Sequence, residues 1–222
     1  GPRAWISDVC SSDPRRFNEL SGYAIEKKFK RLLVAPLHLR RGLLRHIDKE
    51  RRNALEGKPA GVRIKVNSMV DEEIIDALYR ASQAGVPVEV WVRGICSLRP
   101  GVPGLSETIR VRSILGRYLE HSRVFSFEND GDPQVFIGSA DMMHRNLDRR
   151  VEALVRLTDA EHLTEIHSML DRAMSDETAS WWLDSDGSWI RQDRDADGAS
   201  LSDMPTELMM QIGSRARRGV RR

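Results

Sequence analysis

Residues 62–92 read VRIKVNSMVDEEIIDALYRASQAGVPVEVWV, and this stretch decides the fold class. Residues 62–66 and 88–92 are short runs dominated by valine and isoleucine, as is typical of buried strands. Residues 71–85 place apolar side chains at helical spacing between an aspartate that can cap a helix and a glycine that can end it. A strand, a helix and a strand in this order predict a parallel pair joined by a right-handed crossover, and therefore an α/β fold.

The pattern continues on both sides of this unit. The predicted elements are a strand at 32–35, a helix at 39–55, strands at 109–114, 124–127, 135–137 and 151–157, and a C-terminal helix at 159–175. The strands at 124–127 and 135–137 flank a turn-rich segment, so we expect an antiparallel hairpin. The sequence thus predicts a mixed sheet flanked by helices and, from Asp184 onward, a polar chain that is mostly disordered.

Composition narrows the cellular setting more than it narrows the function. The 222 residues carry 35 Lys and Arg against 33 Asp and Glu, a formal net charge of +2, and five arginines crowd the C-terminal end. The remainder is slightly acidic, so no nucleic-acid partner is expected. Two cysteines at no metal-like spacing, and no apolar run long enough to span a bilayer, predict a cytoplasmic protein that is soluble or at most peripheral at the inner membrane.

The chain divides into three predicted segments. The first thirteen residues have no helical or strand period, and Ser7 to Asp13 are similar to a translated sequencing adapter. A leader at residues 1–17 is therefore expected to be non-native or disordered. Residues 18–180 are predicted to form one domain. Residues 181–222 are predicted to be a polar, arginine-rich tail, which could bind RNA, anionic lipid or another polyanion but is better explained as a solvated terminus.

Two strand ends carry side chains suited to a phosphate. In doubly wound sheets, ligands bind beyond the carboxyl ends of the parallel strands. Asn67 follows the first of these strands and Arg93 ends the second, where Gly94 leaves room for a ligand to approach. A guanidinium there can bind phosphate through two hydrogen bonds, although a solvent-exposed structural arginine explains this one feature equally well.

A second polar cluster surrounds the predicted hairpin. His121 and Arg123 are two residues apart, so on an extended segment they point the same way. Ser139 follows the facing strand and could bring a hydroxyl towards the same pocket. A histidine, a cation and small polar groups at adjacent strand ends can hold a phosphoryl group, whereas a lone histidine beside a strand is more often structural.

Longer runs of sequence point to a family. The spacing of His121, Arg123 and the Gly-Ser-Ala-Asp run at 138–141 resembles the signature of the phospholipase D superfamily, with an arginine in place of the usual lysine. The match is closer to the C-terminal, phospholipase-D-like half of the long, phosphohistidine-type bacterial polyphosphate kinases, over about residues 18–176. It is carried by LLVAP at 32–36, KVNSMVD at 65–71, VRGICSLRPG at 92–101, RYLEHSR at 117–123 and GSADMMHRNLDRRVE at 138–152.

The resemblance implies a reaction and roles for residues. It implies reversible transfer of the terminal phosphoryl group of ATP to inorganic polyphosphate, which leaves ADP. The transfer would pass through a phosphohistidine, with Mg2+ and in a homo-oligomeric full-length enzyme. Arg93 would grip phosphate and His121 would contact the nucleotide and assist transfer, while Asn67, Arg123 and Ser139 are further candidates for phosphate binding. The phosphorylated histidine, the Mg2+ ligands and the adenine pocket are expected outside this chain, which alone is expected to be inactive.

Two other functions stay open on the sequence. A phospholipase-D-like phosphodiesterase would need paired histidine motifs, and one motif is present here, with its lysine replaced. A non-enzymatic module that binds polyphosphate or nucleotide would need no catalytic histidine. The remaining histidines lie in no comparable motif and are expected to be structural: His38, His46, His144, His162 and His167.

Overall fold

The computed structural model describes residues 31–219, with side chains as far as Ser214. The strands are β1 (Leu32–Val34), β2 (Val62–Val66), β3 (Val88–Val92), β4 (Ile109–Ser113), β5 (Arg123–Phe127), β6 (Gln134–Gly138), β7 (Ala153–Leu157), β8 (Ser180–Leu183) and β9 (Trp189–Gln192). They form one sheet in the order β1-β7-β6-β5-β2-β3-β4-β8-β9.

The sheet is mixed. Strand β3 pairs in parallel with β2 on one side and with β4 on the other. The remaining neighbours in the described sheet pair antiparallel. The predicted parallel pair, the α/β class and the antiparallel hairpin of β5 and β6 are therefore confirmed.

Helices cover both faces of this sheet. They are α1 (Leu39–Leu55), α2 (Glu72–Gln83), α3 (Ala160–Ala173) and α4 (Met204–Gly219), with a π-helical turn at Arg145–Arg149 and a 3-10 turn at Asn129–Gly131. Helices α1 and α2 share a buried cluster with alternate residues of β2, such as Ile64. Leu170 of α3 packs with Val124 and Val135 on the opposite face.

Local sequence explains where the helices begin. The Asp71 carboxylate accepts a hydrogen bond of 3.1 Å from the backbone N–H of Ile74, which caps α2. The Asp159 carboxylate accepts from the N–H groups of Glu161 and His162 and caps α3 in the same way. Side-chain caps satisfy N–H groups that have no partner within the helix. Because α2 begins beyond β2, its N-terminus lies at the carboxyl edge of the parallel strands.

The expectation of a mostly disordered chain from Asp184 onward is wrong for the described residues. Strand β9 pairs with β8, and β8 continues the sheet beyond β4. The polar run that suggested disorder is the hairpin turn, in which the Asp184 N–H donates to the Ser188 carbonyl and Gly187 has a positive φ of 93°. Buried Leu183 and Met204 anchor the strands and α4, so a few apolar residues order a polar segment.

The described residues do not test the predicted boundaries of the leader, the domain and the tail. The leader at 1–17 and the start of the predicted domain lie outside the described residues, as do Arg221 and Arg222. The division at residue 180 stays a prediction. Among the described helices, none combines the length and apolar character needed to cross a membrane.

Candidate functional site

The carboxyl ends of β2 and β3 meet the start of β5 and the end of β6 at one edge of the sheet. The register pairs Lys65 with Val124, Val66 with Val92, and Arg123 with Gly138. Asn67, Arg93 and Arg123 therefore come to the same edge. The strand ends predicted this for Asn67 and Arg93, and the antiparallel pairing of β5 with β2 adds Arg123. Residues 114–122, which join β4 to β5, lie along this edge and carry His121.

Two glycines allow the backbones to approach here. The Gly94 N–H donates to the Asn67 carbonyl at 2.9 Å, and a Cβ at Gly94 would lie only 3.0 Å from that oxygen. A Cβ at Gly138 would collide with the carbonyl oxygen of Ala153 in β7. Gly138 requires glycine because a larger residue would push β6 and β7 apart, and at Gly94 a side chain would be tightly packed against the Asn67 carbonyl.

Arg93 is half-buried and keeps most of its donors available. Its Nη1 donates to the carbonyl oxygen of Glu120 at 3.1 Å. A guanidinium has five N–H donors. Within residues 31–219 this is its one side-chain hydrogen bond, so four N–H groups are left for a ligand. The structure brings this guanidinium to the backbone beside His121. The grip of Arg93 on phosphate and the contact of His121 with the nucleotide stay predictions.

His121 is exposed, and its ring is oriented by Arg123. The Arg123 Nη1 lies 3.0 Å from His121 Nδ1 and donates to the His121 carbonyl at 2.8 Å. Because a guanidinium can only donate, Nδ1 acts as the acceptor. The neutral imidazole therefore carries its proton on Nε2, an assignment that follows from the hydrogen-bond partner.

Arg123 itself is held by Asp141. Its Nε and Nη2 donate to the two carboxylate oxygens at 3.2 and 2.8 Å, and the Asn67 N–H donates to Asp141 Oδ1 at 2.7 Å. Burial would raise the pKa of Asp141, but these hydrogen bonds more than offset it and hold the pKa below its usual value. The Asn67 amide fits when its oxygen faces Arg123, with Nη2 2.6 Å away, and its nitrogen faces Glu120 O at 3.1 Å. Direct phosphate binding by Asn67 or Arg123 stays a prediction.

Lys65 is buried directly behind the loop. Its Nζ donates to the carbonyl and hydroxyl oxygens of Ser122 at 3.0 and 2.8 Å and pairs with Glu120 Oε2 at 3.1 Å. The ammonium also lies 4.3 Å from the centroid of the Trp91 ring. Burial lowers the pKa of Lys65, and the nearby Glu120 carboxylate only partly counteracts this.

Ser139 has its contacts elsewhere at this edge. Its hydroxyl donates to the Glu152 carboxylate and accepts from the Ala153 N–H at 3.3 Å. The Asn146 amide donates to the same carboxylate at 2.7 Å. Within the described residues, these contacts tie Ser139 to the start of β7 and not to Arg93 or His121. Its predicted role in phosphate binding is left without a contact that supports it and stays a prediction.

The other histidines have structural surroundings. His46 stacks on Phe127 with ring centroids 4.8 Å apart, and burial, with minor help from nearby cations, lowers its pKa to about 4. His167 Nε2 lies 3.2 Å from the Ser126 hydroxyl. These surroundings agree with the structural roles expected of both residues.

A separate charged network contains His144. Arg40 of α1 donates to Asp71 at 2.7 Å and to Asp148 at 2.6 Å, and His144 Nδ1 lies 3.3 Å from Asp148. The network joins α1, the cap of α2 and the π-helical turn. These contacts hold the π-helical turn that connects Asp141 to β7.

Sequence reasoning missed Lys65, Glu120 and Asp141 as members of the cluster. Lys65 lies inside a strand, and no single residue signals that a cation there is buried. The register that brings Lys65 beside Trp91 was the available signal, since an aromatic ring can cover a buried ammonium. Glu120 and Asp141 lay within the runs quoted for the family, but their partners are distant in sequence.

Comparison with known proteins places this cluster in context. The family model described as polyphosphate kinase C-terminal domain 2 matches residues 32–202. A polyphosphate kinase of Streptomyces coelicolor is 62% identical over 204 residues, which are 92% of this chain and 27% of that protein. One of Thermosynechococcus vestitus is 48% identical, over 87% of this chain and 26% of the relative. The crystal structure of polyphosphate kinase from Porphyromonas gingivalis matches with a TM-score of 0.84 at 34% identity, covering 95% of this chain and 32% of the other. The chain spans about a quarter of the length of the curated relatives it matches.

Proposed function

The chain belongs to the polyphosphate kinase family, and on that premise we propose that its sheet edge binds phosphate in an enzyme that reversibly transfers the terminal phosphoryl group of ATP to polyphosphate. The observation that carries the proposal is Arg93, whose guanidinium follows a parallel strand and has four N–H groups that no residue of 31–219 binds, next to the loop of the exposed His121. Phosphoryl transfer depends mainly on positioning and on positive charge, which these groups supply.

Each side chain then has a defined task. Arg93 would donate two parallel hydrogen bonds to phosphate oxygens. His121 would donate from Nε2, since Nδ1 is occupied by Arg123. Asp141 would hold Arg123, and through it the tautomer of His121. The phosphohistidine that receives the phosphoryl group is proposed to lie in a part of the enzyme outside this chain.

The family resemblance implies Mg2+, but the described residues do not form a site that would hold it. Within residues 31–219, no three His, Cys, Asp or Glu side chains lie close enough to hold a metal ion. The carboxylates of the cluster are occupied, because Glu120 pairs with Lys65 and Asp141 with Arg123. Homo-oligomerisation and the use of ATP and polyphosphate by the whole enzyme are proposals of the same kind.

The first prediction concerns binding by this chain. Arg93→Ala and His121→Ala are each expected to weaken the binding of tripolyphosphate by about tenfold, because each removes a charged or polar hydrogen bond to phosphate. Isothermal titration calorimetry measures this directly. Arg80→Ala is the matched control, since this exposed arginine lies in the last turn of α2, away from the edge where that helix begins. Equal affinities of all four proteins would contradict the proposal.

The same substitutions test the reaction in a whole enzyme. Alanine at the positions of the Streptomyces coelicolor relative that align with Arg93 and His121 is expected to lower polyphosphate synthesis by about 100-fold. Near-normal turnover would contradict the assigned roles. Hydrolysis of a generic phosphodiester by this chain, abolished by His121→Ala, would instead favour a phosphodiesterase, and binding with no effect on turnover would favour a non-enzymatic module.

A further inference from the structure

The loop that carries His121 is held by side chains. Within residues 31–219, residues 115–121 make no backbone–backbone hydrogen bond. Three cations reach the loop: Arg93 binds Glu120 O, Arg123 binds His121 O, and Lys65 binds the residues on both sides of His121. Since no backbone ladder fixes this segment, the position of His121 depends on these side chains.

Lys65 differs from Arg93 in the donors that it has left. An ammonium has three N–H donors. All three have acceptors in the protein, namely two oxygens of Ser122 and one carboxylate oxygen of Glu120. Lys65 is also only 2% exposed. It therefore has neither the access nor the free donors to bind a phosphate.

We propose that Lys65 is the positioning residue for His121, acting by holding Glu120 and Ser122 and not by touching phosphate. The inference rests on the proposed function, because it assigns to Lys65 a part in phosphate binding by the same edge. The geometry supports this role. The Trp91 ring packs on one side of the ammonium, and the polar partners of the ammonium are on the loop. Ionic groups are costly to bury, and they are tolerated where function requires them.

A thermodynamic cycle in this chain separates positioning from direct contact. Calorimetry with tripolyphosphate compares the unchanged protein with Lys65→Met, His121→Ala and the double variant. We expect Lys65→Met to weaken binding about tenfold, as for a lost charged hydrogen-bond network. In the His121→Ala protein the same change should cost less than about twofold, because the group that Lys65 positions is gone. An equal loss in both backgrounds, or no loss in either, would overturn the inference.

A second readout does not need the ligand. The imidazole Hε1 resonance of His121 should shift or broaden in Lys65→Met and recover in Lys65→Arg, which keeps a cation. Arg112→Met is the matched control, because it removes another buried cation that is also stacked on a tryptophan, and it should leave that resonance in place. An unchanged His121 resonance in Lys65→Met overturns the positioning role.

Calorimetry and the His121 resonance distinguish failure of the proposed function from failure of the positioning role. If the unchanged chain does not bind tripolyphosphate, the proposed function fails while the resonance still tests the position of His121. Should Lys65→Met not fold, the contact is tested from the loop side with the double variant Glu120→Gln, Ser122→Ala. Both residues lie outside the core, so this variant should fold, shift the His121 resonance and weaken binding; unchanged values would refute the inference.

Discussion

Lys65 and Arg112 are two buried cations in one row of the sheet. The register pairs Lys65 with Trp91, Trp91 with Arg112, and Arg112 with Trp182. Lys65 Nζ lies 4.3 Å from the ring centroid of Trp91, and the Arg112 guanidinium carbon lies 3.5 Å from that of Trp182. Cations and indole rings thus alternate across four strands on one face.

The two cations differ in the partners that surround them. Arg112 donates to the carbonyl oxygens of Ala173 and Ser175 at the C-terminal end of α3 and pairs with Asp176 at 2.7 Å. It satisfies carbonyls that have no partner within the helix and so joins α3 to β4. Lys65 instead holds the loop at residues 115–121, which makes no backbone–backbone hydrogen bond to the described part of the chain. The difference teaches that burial of a cation does not identify its role, whereas the element that it holds does.

The largest expected effect is on stability, and it follows from replacing Arg112. Arg112→Met should lower the free energy of unfolding by about 3 kcal/mol, because it removes charged hydrogen bonds to carbonyls and a stacked cation. Urea denaturation measures the loss. Tripolyphosphate affinity of the folded protein should be unchanged, because within residues 31–219 the hydrogen-bond and stacking partners of Arg112 lie at the C-terminal end of α3, on Asp176 and on Trp182, away from the phosphate edge.

Lys65→Met is the counterpart in the same row. It should change the free energy of unfolding by less than about 1 kcal/mol, because the loss of its contacts is offset by relief from burying a charge. Arg112→Met should therefore lower stability and leave tripolyphosphate affinity unchanged, whereas Lys65→Met should weaken binding and leave stability nearly unchanged. If Lys65→Met destabilises the protein as much as Arg112→Met does, the proposed division between the two ends is wrong.

Most of the fold could be predicted because it rests on short-range patterns. The spacing of apolar residues gave β2, α2 and β3, and the caps at Asp71 and Asp159 lie where the helices begin. The segment after Asp184 could not be predicted in this way. Its order depends on a few residues, such as Leu183 and Met204, that pack against partners far away in sequence.

The site was predictable only in part. Strand ends placed Asn67 and Arg93 at one edge, because the carboxyl ends of parallel strands share an edge. Arg123 reaches that edge because it begins β5, which runs antiparallel to β2. The pairing of Arg123 with Asp141 and of Lys65 with Glu120 could not be predicted, since it joins residues 18 and 55 positions apart through loop geometry. Ser139 was predicted from a motif, and its contact with Glu152 depends on how β6 ends against β7.

Raising the pH should sharpen the comparison, because Lys65 can lose its proton and Arg112 cannot. Burial lowers the pKa of Lys65 below 10.5, Arg123 and Arg93 lower it further, and Glu120 opposes them. Between the lowered pKa and 10.5 the unfolded chain binds a proton that the folded chain has lost, so stability from this group rises with pH. Binding should fall over the same range, since the neutral amine holds the loop with one donor fewer.

The measurement compares the unchanged protein with Lys65→Arg, whose guanidinium stays charged. Tripolyphosphate affinity of the unchanged protein should fall by about threefold more than that of Lys65→Arg as the pH is raised towards 10.5. Urea denaturation over the same range should show the unchanged protein gaining stability relative to the variant. Parallel pH dependence of the two proteins would show that Lys65 is not the titrating group.

The smallest expected effect concerns the acidic partner of Arg112. The Asp176 side chain is 81% exposed although the Arg112 side chain is fully buried, so water screens their ion pair. Asp176→Asn should therefore lower the free energy of unfolding by less than about 1 kcal/mol, and added salt should abolish the difference from the unchanged protein in urea denaturation. The carbonyls of Ala173 and Ser175 and the ring of Trp182 then account for the stabilisation by Arg112. If Asp176→Asn lowers the free energy of unfolding as much as Arg112→Met does, Arg112 depends on its carboxylate partner as Lys65 depends on Glu120. The two cations would then differ only in how exposed that carboxylate is.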